Sequence, residues 1–116
     1  MFMDNSRYDT ASVRTDRDIE YHTISRVTKM LSTAEKIPTE RGRIEALHKN
    51  IQLWTIIASE TADPQNKLSS EIRAGLIGLA SFSIRHSYQC FSTETSLSAL
   101  IDINKSIMKG LRGEGI

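Results

Sequence analysis

The stretch IEALHKNIQLWTIIA, residues 44–58, decides the fold class of this chain. Its apolar residues recur at intervals of three or four, which is the spacing of one face of an α-helix. An amphipathic face of this kind is buried against a neighbouring element. The stretch therefore predicts a helix within a helical core, with an apolar face made of Ile44, Leu47, Ile51, Trp54 and Ala58 and widened by Leu53, Ile56 and Ile57.

Two prolines bound this helix in the sequence. Pro38 precedes it and Pro64 follows it, and proline lacks the N–H group that a helix interior requires. Thr39 is the predicted N-cap, because its hydroxyl can accept a hydrogen bond from a free N–H group of the first turn. The polar residues around Pro64 predict a turn.

Three further helices are predicted around this one. The first runs from about Asp16 to Lys36, the third from about Glu71 to Cys90 after Ser69 or Ser70 as its cap, and the fourth from about Leu97 to Leu111. Four helices joined by short loops indicate an all-α fold, a small antiparallel bundle of about four helices with a polar N-terminal arm. The apolar stripes are Ile24, Val27, Leu31 and Ala34 in the first helix and Leu97, Leu100, Ile101, Asn104, Met108 and Leu111 in the fourth.

The third helix has apolar residues on several sides of its predicted surface. A helix that is apolar nearly all round is normally central and buried, so we expect it at the centre of the bundle. Gly75 and Gly78 each cost a helix interior about 1 kcal/mol relative to alanine. We expect the close approach of a neighbouring helix to compensate for them.

The length of 116 residues corresponds to one domain. We divide the chain into a polar N-terminal arm at 1–15, a single helical domain at 16–112 and a loose tail at 113–116. The arm carries charges and no apolar segment typical of a secretory signal, and no apolar run approaches the roughly 20 residues of a membrane span. Cys90 is the single cysteine, so no intrachain disulfide can form. A cytoplasmic protein without membrane contact is expected.

The formal net charge of +1 gives no overall attraction to nucleic acid. A mild basic excess around Arg41, Arg43 and Lys49 has two interpretations, a solvated helix face or a patch that contacts RNA. RNA contact is the weaker one, because the sequence has no aromatic stacking motif beside these cations.

Few residues point to catalysis or metal binding. His86 and Cys90 lie four apart on one predicted helix, so an activated thiolate is one interpretation, and ordinary packing of both side chains is the other. His22 and His48 lie on other helices with no carboxylate pair at ligand spacing. We therefore expect no metal, no cofactor, no small-molecule substrate and no enzymatic activity.

Polar residues interrupt two of the apolar faces. Asn104 lies on the stripe of the fourth helix beside Asp102, and Asn50 lies one turn before Trp54. These side chains either form hydrogen bonds between helices or contact a bound protein. Trp54, the only tryptophan, can likewise belong to the core or anchor an interface.

Several blocks of the sequence occur in a distinctive order. They are Asn50-Ile-Gln-Leu-Trp54, Ile57-Ala-Ser-Glu60, Asp63-Pro-Gln-Asn66 with Leu68, Leu76-Ile-Gly-Leu-Ala80, Arg85-His-Ser87, Leu100-Ile-Asp-Ile-Asn104 and Ile107-Met-Lys-Gly-Leu111.

Together these blocks resemble the FlaF family of flagellar biosynthesis regulators from alphaproteobacteria. The resemblance runs from about Glu20 to Leu111 and leaves the arm at Met1–Arg17 outside. Glu60 departs mildly from the family pattern, where aspartate is more usual. The resemblance implies binding of flagellin as a secretion chaperone or adaptor, with FlbT as a second partner, and no catalytic residues. The candidate partner-binding residues are Asn50, Leu53, Trp54, His86, Asp102 and Asn104.

Overall fold

Four helices make up the computed structural model, which describes the backbone of residues 16–111 and the side chains of residues 21–111. They are α1 (Asp16–Lys36), α2 (Glu40–Ala62), α3 (Ser70–Phe91) and α4 (Ser98–Leu111). The described residues contain no strand, and the predicted all-α bundle of four helices is confirmed. The predicted arm at 1–15 and tail at 113–116 lie outside the described residues, so the division into domains stays a prediction.

The predicted caps begin the second and third helices. The Thr39 hydroxyl accepts a hydrogen bond from the backbone N–H of Gly42 at 3.1 Å. Of the two candidates for α3, Ser69 is the cap, and its hydroxyl accepts from the N–H of Ile72 at 3.2 Å. Both short polar side chains thus satisfy an N–H group that the first turn leaves without a partner.

The core lies between α1, α2 and α4. The predicted stripe of α1 is buried along its whole length, and Trp54 and Leu47 of α2 are fully enclosed. Leu97, Leu100 and Ile101 close the core from the side of α4. Because apolar side chains gain stability in proportion to the area they remove from water, this cluster is the main source of cohesion in the bundle.

The central helix is α2, which packs against both α1 and α3. Helix α1 packs between α2 and α4, whereas α3 lies mainly on α2 and touches α4 only slightly. The expectation that α3 is central and buried is therefore wrong. Its buried residues are small or polar, namely Ala80, Ser83, Ser87 and Cys90.

The two glycines of α3 are not explained by a neighbouring helix within the chain. A Cβ atom built on Gly75 or on Gly78 would meet nothing within 4 Å. The expectation that a helix of the bundle approaches them closely is wrong, because open space surrounds both positions.

Two charged side chains hold the loop between α3 and α4. Arg43 donates from Nη2 to the carbonyl oxygens of Cys90, Thr93 and Thr95, at 3.1, 3.0 and 2.7 Å. The Glu35 carboxylate accepts from the Ser96 hydroxyl and, at 2.9 Å, from the Leu97 N–H.

The hydrogen bonds to Ser96 and then to Leu97 lower the pKa of Glu35 below its ordinary value, with a smaller contribution from the charge of Arg43. A carboxylate from α1 thereby supplies the negative charge that favours the N-terminus of α4. The loop that joins α3 to α4 is thus fixed by side chains of the first two helices.

Candidate functional site

Helix α3 leaves large apolar side chains uncovered on its flanks and at its N-terminal end. Ile72, Ile77, Leu79 and Phe82 remain 53, 41, 37 and 40% exposed. Gly75 and Gly78 lie among them with open space above their Cα atoms. We call this surface, formed by these four apolar residues and two glycines, the open face of α3. Several exposed apolar side chains on one helix of a small domain mark an interaction site more often than a single exposed leucine does.

The open face exists because α3 turns its smallest residues inward. Ala80, Ser83, Ser87 and Cys90 follow one another at helical spacing and are all buried. Burying serine requires hydrogen-bond partners, and α2 provides them. The large apolar residues of α3 are consequently left on its flanks and outer side.

None of the residues of the open face is among the six predicted partner-binding residues. The signal that could have found this face is the small-residue stripe from Ala80 to Cys90, which matches the helical period as well as the apolar residues do. Because its residues are small or polar, that stripe is not recognised as the buried side of a helix when hydrophobicity alone is considered.

Beneath the open face lies a network of buried polar side chains that joins three helices. Trp54 donates from Nε1 to Asn104 Oδ1 at 2.9 Å, and Asn104 donates from Nδ2 to Asn50 Oδ1 at 3.0 Å. Asn50 donates in turn to the hydroxyls of Ser83 and Ser87, at 3.0 and 3.1 Å. Ser87 completes the chain by donating to the Ser83 carbonyl oxygen. The network fixes the register of α2, α3 and α4 relative to one another.

The structure separates the six predicted partner-binding residues into two groups. Asn50, Trp54 and Asn104 have no exposed surface and meet in the polar network, and Leu53 is 6% exposed in the core. Of the two possibilities left open, hydrogen bonds between helices account for Asn50 and Asn104, and Trp54 belongs to the core. These four offer a partner almost no side-chain surface while the bundle stays closed, and partner contact stays a prediction for them.

The remaining two predicted residues reach the surface in different places. Asp102 is exposed on α4, away from the polar network. His86 is half-buried on α3, and its ring stacks on Phe82 with centroids 5.4 Å apart and an angle of 11° between the ring planes. His86 thereby borders the open face, and its Nε2 atom is buried without a hydrogen-bond partner among the described residues.

The geometry around Cys90 does not favour an activated thiolate. Cys90 is fully buried, and that burial raises the pKa of its thiol, with the charge of Arg43 acting in the opposite direction. A reactive cysteine needs a lowered pKa and access to solvent. No hydrogen bond among the described residues links its sulfur to His86. Cys90 fits the alternative interpretation, a small residue packed in the core.

The basic excess near the start of α2 is only partly free to bind a ligand. The guanidinium of Arg43 already contacts three carbonyl oxygens, one at the end of α3 and two in the loop that follows it. Arg41 is exposed and lies 3.6 Å from Glu45, one turn along the same helix. Lys49 is exposed. The arrangement is that of a solvated helix face with one arginine that stabilises the fold.

Two further kinds of site are absent from the described residues. No group of three or more His, Cys, Asp or Glu side chains between residues 21 and 111 could hold a metal ion. None of the four helices, as far as residues 16–111 describe them, has the length and apolar character needed to cross a bilayer.

Comparison with protein families gives one match that covers most of the chain. The family model described as flagellar protein FlaF matches residues 5–111. The match begins well before Glu20, so the expectation that the whole arm at Met1–Arg17 lies outside the resemblance is wrong. Neither the curated proteins nor the solved structures gave a match.

Proposed function

Because the chain belongs to the FlaF family of flagellar proteins, we propose that it binds flagellin as a secretion chaperone or adaptor before export. The observation that carries this proposal is the open face of α3, an apolar helix surface that no other helix of the bundle covers. Flagellins have amphipathic terminal helices that are unfolded before assembly. An amphipathic helix presents apolar anchors at i, i+3, i+4 and i+7, which suit a surface of this shape.

The composition of the open face suits a partner that has to be released again. Its apolar side chains remain about 40 to 50% exposed, so the bundle does not need a partner to close its core. A flagellin segment that folds on binding would lose conformational entropy, and this cost weakens the complex. Moderate affinity combined with a large contact area is what hand-over to an export apparatus requires.

Titration calorimetry of the full chain with monomeric flagellin tests the proposal. We expect a complex at tens of micromolar or tighter, and a loss of at least tenfold in affinity for the double variant Leu79→Ser/Phe82→Ser. The matched control is Ile37→Ser, which removes an apolar side chain that is 64% exposed in the loop between α1 and α2. This control should bind like the unmodified chain.

Two outcomes would overturn the proposal in different ways. The absence of a complex at tens of micromolar would exclude direct flagellin binding. A complex of equal affinity with the unmodified chain and the Leu79→Ser/Phe82→Ser variant would keep flagellin as the partner but move the site away from α3. Circular dichroism of each variant shows whether it is folded, so that a loss of binding is not mistaken for unfolding.

The coupling of flagellin synthesis to export, together with FlbT, is the second half of the proposal. Its support is the family membership. We expect purified FlbT to co-elute with the chain, with flagellin or with their complex in size-exclusion chromatography. If FlbT elutes separately from all three at tens of micromolar, this half of the proposal fails while flagellin binding still stands.

A further inference from the structure

The outer side of α3 is centred on Gly78. Gly78 lies opposite the buried stripe of the helix, and Ala74 and Phe82 lie one turn before and one turn after it, both exposed. Gly75 and Ser81, each three residues from Gly78, are also exposed. The surface therefore has small residues at its centre and one aromatic ring on one side of it.

Opposite charges lie at equal distances from Gly78 along the helix. Glu71 and Arg85 lie seven residues before and seven residues after Gly78, which is about two helical turns in each direction. Both are exposed on the side of α3 that carries Gly78, and neither forms an ion pair with any residue between 21 and 111. A helix with a negative charge at one end of a face and a positive charge at the other is complementary to itself when it is reversed.

From this pattern we infer that α3 pairs with α3 of a second copy of the chain, antiparallel and across a twofold axis at Gly78. In this pairing Glu71 of each copy faces Arg85 of the other, and Phe82 of each copy covers the small side chain of Ala74. Gly78 packs on Gly78 at the axis, where the absence of side chains lets the helices approach closely. Such an interface is isologous, with the same patch contributed by both copies.

The apolar flanks of α3 support the same register. Ile77 and Leu79 lie on opposite flanks of the helix, directly before and after Gly78, and both are about 40% exposed. Antiparallel pairing across a twofold axis at Gly78 brings Ile77 of one copy towards Ile77 of the other on one flank, and Leu79 towards Leu79 on the opposite flank. The close approach at the two glycines is what allows these flanking side chains to meet.

The uneven packing of α3 is a second, independent argument for a neighbour on this surface. All four buried residues of the helix lie between Ala80 and Cys90, and none lies among residues 70–79. Residues 70–79 instead contain two glycines with open space around them and three of the apolar residues of the open face. A second copy would cover this half of the helix.

The interface would be small. The paired stretch from Glu71 to Arg85 is about 21 Å long. A single pair of helices of this length falls in the lowest class of specific interfaces, below about 1,200 Å² of total buried surface. We therefore expect a dissociation constant in the range of tens to hundreds of micromolar and a monomer at low concentration.

Sedimentation equilibrium over a wide concentration range, with two charge-reversal variants, tests the inference. Glu71→Arg and Arg85→Glu each replace two attractive pairs by two repulsive ones, so each variant alone should dimerise at least about tenfold more weakly. Mixed in equal amounts, the two variants place opposite charges at both positions. We expect the mixture, and the double variant Glu71→Arg/Arg85→Glu, to recover the dimer.

The matched control is Lys105→Glu, which makes the same change of charge as Arg85→Glu but on the exposed surface of α4. It should dimerise like the unmodified chain. A chain that stays monomeric up to millimolar concentration would overturn the inference, and so would a dimer that is insensitive to both charge reversals. If the mixture does not recover the dimer while each single variant loses it, the antiparallel register is wrong.

Dimerisation through α3 does not depend on the proposed function, and an experiment can exclude either one while the other stands. Dimerisation is measured without flagellin, and flagellin binding can be measured at concentrations where the chain is monomeric. If flagellin also occupies the open face, added flagellin should dissociate the dimer. A dimer that persists in a larger complex with flagellin would place flagellin on another surface and leave the pairing of α3 intact.

Discussion

Asn50 is the residue on which the polar network depends. Its amide donates to two serines of α3 and its carbonyl oxygen accepts from Asn104 of α4. Each of these bonds contributes only about 0.5 to 1.5 kcal/mol, but leaving one of the buried groups unpaired costs about 1 to 3 kcal/mol. The network therefore adds specificity more than net stability, because any other alignment of the three helices would leave several polar groups unpaired.

Trp54→Phe tests the energetic role of the network. Phenylalanine fills most of the same space but cannot donate, so Asn104 Oδ1 loses its partner at the indole nitrogen. We expect the free energy of unfolding to fall by about 1 to 3 kcal/mol. Urea denaturation followed by circular dichroism measures this change.

The control for that variant is a double-mutant cycle with Asn104→Ala. The cost of the two changes together should be smaller than the sum of their separate costs, because the hydrogen bond can be lost only once. Strict additivity would contradict the direct coupling between Trp54 and Asn104 that the geometry implies.

Helices α3 and α4 illustrate what determines an element's place in the bundle. The apolar stripe of α4 in the sequence is also its buried face, with Leu100, Ile101 and Asn104 inside. In α3 the buried face carries two serines, because hydrogen bonds to Asn50 compensate for burying them. Each helix therefore buries the face whose side chains find packing contacts or hydrogen-bond partners on the neighbouring helix. This is not always its most apolar face.

Gly75→Ala and Gly78→Ala should each stabilise the monomer. An added Cβ atom meets nothing within 4 Å at either position, and alanine restricts the unfolded chain more than glycine does. We expect a gain of about 0.5 to 1 kcal/mol per substitution. Thermal unfolding at low micromolar concentration measures the monomer alone.

The comparison for these variants is Gly42→Ala in α2, where an added Cβ would lie 2.8 Å from the Thr39 hydroxyl oxygen. That variant should gain less or lose stability, because the cap at Thr39 would have to shift. Destabilisation at Gly75 or Gly78 would mean that these positions contact something within the chain after all.

Glu35→Gln should change how the stability of the α3–α4 connection depends on pH. Hydrogen bonds to Ser96 and Leu97 lower the pKa of Glu35 in the folded protein below its ordinary value of 4.5. A lowered folded pKa means that the carboxylate stabilises the protein above pH 4.5 and that this contribution is lost as the pH falls through the folded pKa. At pH 7 we expect the variant to be less stable by roughly 0.5 to 1 kcal/mol, since the group is largely exposed.

The pH dependence itself is the informative measurement. Urea denaturation of both proteins from pH 7 down to pH 3 should show the difference in stability shrinking as acid protonates Glu35 in the unmodified chain. A difference that stays constant over this range would indicate that the charge of Glu35 does not matter and that only its hydrogen bonds do.

The sequence predicts the helices better than it predicts the site. Helical periodicity, two prolines and the caps at Thr39 and Ser69 place all four helices close to their observed ends. These signals are local, and local chemistry determines where a helix begins and ends. The position of α3 depends instead on a pairing between Asn50 and serines more than thirty residues away. Periodicity within one helix carries no information about such a partner.

At the scale of the whole molecule, packing is tight on one side and sparse on the other. Helices α1, α2 and α4 share the core, and α3 is attached mainly through its C-terminal half. Arg43 and Glu35 form hydrogen bonds with the α3–α4 loop and so stabilise the end of the molecule that contains the C-terminus of α3. The N-terminal half of α3 buries no side chain between residues 70 and 79. It is attached to the end of α2 by hydrogen bonds from Arg73 to the carbonyl oxygens of Thr61 and Asp63, and it carries most of the open face.

Hydrogen exchange should reveal this gradient. We expect the backbone amides of residues 74–79 to exchange faster than those of residues 84–90 of the same helix, and much faster than those around Trp54 in α2. Local opening is easier where few buried contacts have to be broken. Exchange followed by mass spectrometry at low micromolar concentration measures the difference, and uniform protection along α3 would contradict it.

The enclosure of Trp54 has a practical consequence for spectroscopy. It is the only tryptophan of the chain, and it has no exposed surface. Its fluorescence should therefore have the blue-shifted emission of an indole in an apolar environment, and it should respond to disassembly of the core but not to docking on the open face of α3. A ligand that shifts this emission towards the red would have to open the core and expose Trp54 to water. The emission of Trp54 therefore distinguishes a partner that binds on the surface from one that inserts into the core.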